Sequence, residues 1–198
     1  IMIIDKENYY FIAPDNKNGL SVRPPRDLYL SDIFEFKVNF TIDYKKCKDK
    51  SCGIVMMNGK HLGIHIYNNL LLASVWTDKG IFETQMILDN KNIKCKFICD
   101  NKNKQVSLIA DNKTSTIDFK GKLVDDYKYS YLWVGCGNGF KDSDDEFRNN
   151  FFGDISYLKI KRDDKVIFQS DFKKKTEFKV FDESNSGNHL LKYNKEWY

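Results

Sequence analysis

Phe34, Phe36, Val38, Phe40 and Ile42 take every second position of the stretch FEFKVNFTI, with Glu35, Lys37, Asn39 and Thr41 between them. A period of two sends successive side chains to opposite faces, so this stretch predicts an antiparallel strand with one apolar and one wet side. Alternation or short apolar runs of strand length return at residues 53–59, 62–68, 71–77, 82–89, 93–100, 105–111, 115–119, 131–135, 153–162 and 165–172. Helical periodicity is nearly absent. Turn clusters such as NGKH, YNN, TDKG and RDDK separate the runs, and DNKN is used twice, at 89–92 and 100–103. Closely spaced turns along an almost wholly β chain predict a two-sheet antiparallel sandwich or a barrel.

At 198 residues the chain suits one domain with a core large enough to need no staples. Its net charge of +4 comes from lysines interspersed with Asp and Glu. That mixing argues against nucleic acid as a partner. The longest apolar run, LLLASVW at 70–76, is far shorter than the roughly 20 residues of a membrane helix, so no membrane insertion is expected. The opening residues IMIIDKENYY lack the basic start, apolar core and cleavage site of a signal peptide, and the initial Ile suggests a mature or excised piece.

Five cysteines, spaced C-x4-C and C-x3-C with Cys136 apart, match no zinc pattern. Cys95 and Cys99 share a strand face with Ile93 and Phe97 and are expected to be small buried hydrophobes. Cys47 and Cys52 flank KDKS, where an oxidising compartment would let them close a small loop. The three histidines have no nucleophile motif or helical metal spacing beside them, and GCGNG at 135–139 has no helix to offer a phosphate.

The stretch YKYSYLWVGCG places Tyr127, Tyr129, Tyr131 and Trp133 at alternate positions, with Leu132 and Val134 on the other side. If the core takes Leu132 and Val134, the rings face away from it. A row of flat rings suits a sugar, whose C–H groups pack on the π surface while a phenol or indole edge keeps a hydrogen bond. Alternatively the rings form a minor core beneath a covering loop. Trp76, Tyr67 and His65 are further candidates for such a face.

Three segments carry a resemblance to known proteins. LSVRPPRDLYLSDIFEFKVNFTI looks like an opening strand pair, ICDNKNKQVSLIADNKTS like a central hairpin turning at Asp111-Asn112, and LWVGCGN followed by FFGDISYLKI like a closing pair. Together, over about residues 20–172, they resemble the concanavalin A-like lectin/glucanase superfamily, and within it the laminin G-like and pentraxin-like jelly rolls. The resemblance implies an all-β, two-sheet antiparallel jelly roll occupying residues 1–198 as one laminin G-like domain. VFDESNSGNHLL (180–191) resembles a segment that usually precedes the first strand of such domains. Within 173–198 it supplies either a last strand beside the N-terminal one or the start of a following module in a longer parent chain.

Glycosidases of that superfamily carry two carboxylates in an E-x-D-x-x-E strand motif, because hydrolysis needs one acid for the leaving oxygen and one carboxylate to attack or activate water. That motif is missing here. The resemblance therefore implies a non-catalytic carbohydrate-binding, lectin-like module with a glycan or polysaccharide partner, within a glycan-processing or surface protein. The alternative is a protein-interaction module of the same fold. Ligand contact is expected at Trp133, Tyr131, Tyr129, Trp76, Tyr67 and His65. Related modules hold calcium with loop carboxylates, and Asp142, Asp144, Asp145 and Glu146 in KDSDDEFRNN offer the hard oxygens that Ca²⁺ accepts.

Overall fold

The computed structural model describes residues 12–13, 19–22, 32–57, 62–124, 132–135, 151–174, 179–184, 186 and 190–192. In chain order these form β1 (Ile12–Ala13), β2 (Gly19–Val22), β3 (Ile33–Ile42), one helical turn α1 (Tyr44–Cys47), β4 (Ser51–Met57), β5 (Leu62–Tyr67), β6 (Leu70–Thr77) and β7 (Gly80–Ile87). Then follow β8 (Asn92–Asp100), β9 (Gln105–Ala110), β10 (Lys113–Asp118), β11 (Leu132–Val134), β12 (Gly153–Arg162), β13 (Lys165–Ser170), β14 (Lys179–Val180) and β15 (Leu190–Lys192). Every longer run read from alternation is a strand. No helix among the described residues is long and apolar enough to cross a membrane.

The strands make two antiparallel sheets. The nine-stranded sheet runs β14-β15-β2-β11-β4-β5-β6-β7, with β1 added beside β2, and the six-stranded sheet runs β10-β9-β8-β3-β12-β13. Segment 173–198 supplies β14 and β15, and β15 pairs with β2 through Leu191 and Ser21.

The core is what the alternation of β3 dictates. Phe34, Phe36, Val38, Phe40 and Ile42 are all buried, while Lys37 and Thr41 are exposed. The Phe36 ring stacks on Phe97 of β8 at 5.3 Å between centroids, and Phe40 meets Phe151 edge-on at 5.6 Å. Each such ring contributes about 1.5–3 kcal/mol by leaving water. From the other sheet Ile64, Ile66, Leu71, Ala73 and Val75 close the same core.

Turn chemistry fixes the hairpins. Asp111 and Asn112 take φ of 47° and 63°, the left-handed pair that a two-residue turn between β9 and β10 requires. Asp43 caps α1 by accepting from the Lys45 and Lys46 amides at 3.1 and 3.3 Å. Cys47 and Cys52, at the two ends of the loop that follows α1, are buried free thiols, so the loop is not closed covalently. Cys95 and Cys99 are also buried thiols, and burial pushes both well above the usual thiol range.

Candidate functional site

The two faces of the nine-stranded sheet differ sharply. On β5 and β6, Ile64, Ile66, Leu71, Ala73 and Val75 turn inward, so His65, Tyr67, Leu72, Ser74 and Trp76 belong to the outer face. β7 is joined to β6 by a two-residue turn at Asp78 and Lys79, which sets Trp76 opposite Ile81, Ser74 opposite Glu83 and Leu72 opposite Gln85. His65, Tyr67 and Trp76, three of the ligand candidates, therefore share one face. Glu83 joins them, although no motif singles it out; the length of the TDKG turn is the signal that places it.

One rung of paired backbones crosses the sheet from Ser21 through Trp133, Met56, Gly63 and Ser74 to Glu83. With neighbouring strands about 4.8 Å apart, the backbones of Trp133 and Glu83 stand about 19 Å from each other. Gly63 is the low point of the rung. Its φ of +135° and its approach to the Val55 carbonyl leave no room for a Cβ.

Exposure along this face is uneven. Met56, Leu72 and Ser74 are buried at its centre, whereas Tyr67 and Trp76, at opposite strand ends, are 45% and 36% exposed. The face is thus covered over part of its area and open at Tyr67 and Trp76. Ser74 Oγ is buried with no hydrogen-bond partner among the described residues.

Between these two rings along the strands, His65 Nε2 lies 3.6 Å from Glu83 Oε2. Burial raises the Glu83 carboxyl above the usual glutamate range. The pair sets a donor and an acceptor among apolar surfaces, the mixture that orients a ligand carrying hydroxyl groups.

The remaining candidates are less fully placed. Trp133 lies in β11 between β2 and β4, and its neighbour Val134 is fully buried in the core. The Trp133 side chain falls outside the described residues. So do Tyr127, Tyr129 and Tyr131, and with them Asp142, Asp144, Asp145 and Glu146, leaving the calcium expectation on sequence alone. Among the described residues no cluster of three His, Cys, Asp or Glu side chains is arranged to hold a metal ion.

No protein-family model matches the chain, and no curated protein does. Solved structures do match in shape. The IT-sialidase CBM40 of Ruminococcus gnavus bound to α2,3 sialyllactose superposes with a TM-score of 0.52 at 14% identity, over 67% of this chain and 76% of its own. Domains LG4-5 of the mouse laminin α1 chain give 0.53 at 12% identity, over 77% of this chain and 41% of theirs. The binding domain of botulinum neurotoxin DC in complex with SialylT gives 0.51 at 10% identity, over 80% and 40%. The chain has the jelly-roll β-sandwich fold of these domains, as the three segments of its sequence imply. It spans about two fifths of the matched laminin and toxin chains.

Proposed function

We propose that the chain is a non-catalytic carbohydrate-binding module that holds glycan against the outer face of its nine-stranded sheet. The observation that carries this is that two exposed rings, Tyr67 and Trp76, flank the His65–Glu83 pair on one sheet face, about 20 Å apart along the strand direction. Rings supply stacking surface for sugar C–H groups, and the pair supplies a donor and an acceptor for hydroxyls. A fold shared with a sialyllactose-bound module supports the same function.

Catalysis finds less support. Glycoside hydrolysis takes two carboxylates, roughly 5 to 9.5 Å apart, flanking the scissile bond. Glu83 is the single carboxylate among the described outer-face positions of β4 to β7. A glycan array carrying neutral and acidic oligosaccharides tests the proposal, with each retained sugar then recovered and weighed by mass spectrometry. Retention of at least one glycan class with its mass unchanged is the expected result; no retention, or cleaved product, refutes it.

A second function, protein interaction, has its own observation. β7 is the last strand of the nine-stranded sheet, and it carries Ile81 and Ile87 at 53% and 57% exposure. An edge left unpaired among the described residues, with exposed aliphatic groups, suits strand addition by a partner chain. An empty glycan array, together with loss of a partner from pull-downs when Ile81 and Ile87 are replaced by Lys, would select this function.

A further inference from the structure

A file of lysines crosses the opposite sheet. On β3 the fully buried Phe36 and Val38 point into the core, so Lys37 between them belongs to the outer side of the six-stranded sheet. Its partners across the ladders are Lys159 of β12 and Lys96 of β8. Lys161 stands two residues along from Lys159, and Lys94 two residues along from Lys96. Five lysines on three neighbouring strands thus share one face, at spacings of about 5–7 Å set by the strand separation and the two-residue repeat.

Like charges directly opposite one another destabilise a sheet. A wet face does not need them. The adjoining ladder of the same sheet stays polar with Ser107 and Thr116, whose hydroxyls bond at 2.9 Å. Carboxylates offset the file only in part: Glu35, opposite Lys161, pairs with Lys96 at 2.7 Å, and Asp154 lies towards the end of β12. Among the described residues, Lys37, Lys94, Lys159 and Lys161 have no carboxylate within 4 Å.

We propose that this face is a second binding surface, for a polyanionic polysaccharide bearing sulfate or carboxylate groups. The file offers point charges on long flexible stems, which follow anions spaced along a chain. Asn39 and Tyr157 on the next rung and Gln169 beside Lys159 add uncharged hydrogen-bonding groups suited to sugar hydroxyls. A nucleic acid would call for arginine and several stacking rings, and Tyr157 is the one aromatic among the described outer positions of this sheet. A bilayer surface would call for exposed apolar groups to insert. Among the described residues, four of the five large exposed apolar side chains, Tyr67, Trp76, Ile81 and Ile87, lie on the other sheet.

The test uses dextran sulfate and uncharged dextran as probes, read by fluorescence anisotropy. The unmodified chain is expected to bind dextran sulfate with an affinity that falls as salt rises, and to ignore dextran. The triple variant Lys37→Gln/Lys94→Gln/Lys159→Gln is expected to bind dextran sulfate at least tenfold more weakly while melting at or above the parent temperature, because a repulsive row has been thinned. A control triple, Lys102→Gln/Lys120→Gln/Lys122→Gln, makes the same change in net charge on exposed turns and is expected to change affinity less than twofold. Equal losses in the two triples, no binding of dextran sulfate, or tighter binding to phosphatidylserine vesicles or duplex DNA would overturn the proposal. Retention of glycans through Tyr67 and Trp76 is unaffected by these substitutions, so the two faces are tested separately.

Discussion

His65 Nε2 stands 3.6 Å from Glu83 Oε2, reaching across the intervening strand β6 on the outer face of the nine-stranded sheet. Burial raises the Glu83 carboxyl, so folded Glu83 keeps its proton to a higher pH than it does in the unfolded chain. Its contribution to stability is therefore lost as pH climbs past the ordinary glutamate value of 4.5. Glu83→Gln removes that titration. Urea unfolding midpoints between pH 4.5 and neutrality are expected to decline with pH in the parent relative to the variant; parallel curves would contradict the burial of this carboxyl.

Tyr67 and Trp76 are exposed, and their replacement opens no hole in the core. Trp76→Ala and Tyr67→Ala are each expected to change folding stability by no more than about 0.5 kcal/mol. The loss of a stacking ring is expected to weaken glycan binding by on the order of 1 kcal/mol, several-fold in Kd. Thermal melts paired with titration calorimetry separate these two effects. A large drop in melting temperature would show that the ring is part of a covered minor core.

The opposite behaviour is expected inside. Phe36 is fully buried and stacked on Phe97, so Phe36→Ala should cost about 3–5 kcal/mol through lost burial and the cavity left behind. Lys37→Gln, one residue away on the wet side, should stay within about 0.5 kcal/mol. Chemical denaturation of both variants checks the parity of β3 directly.

That parity explains what was legible in the sequence. A strand read from alternation comes with its faces assigned, so Phe34 to Ile42, and the outward turn of His65 and Tyr67, follow from local pattern alone; LLLASVW is apolar on both faces, and the outward turn of Trp76 shows only in the fold. Partnership across strands does not. Glu83 reaches His65 only because β5, β6 and β7 pair in one register, and Lys37, Lys96 and Lys159 are scattered in the chain until β8, β3 and β12 line up. Burial of Met56, Leu72 and Ser74 on the outer face is likewise a tertiary fact that alternation cannot supply. The four residues of α1 are too few to show a helical period, and only the capping Asp43 marks them.

The thiols provide a chemical check on the loop that follows α1. The hydrogen bond between Cys47 and Cys52 lowers the Cys47 thiol to about 7 and pushes Cys52 up. Cys47 is expected to react with iodoacetamide at neutral pH faster than Cys95 or Cys99, and Cys52→Ala should slow it by removing the hydrogen-bond donor. Peptide mass mapping of the labelled chain reads all the sites at once. Equal labelling rates at the four buried cysteines would contradict the pairing.

The outer face of the nine-stranded sheet is tested most directly by screening one glycan array side by side with the parent chain and with Tyr67→Ala/Trp76→Ala. At least one glycan class should be held by the parent and released by the double variant, with both proteins melting alike. Equal retention of every bound glycan by the two would contradict the assignment of this face as the binding surface.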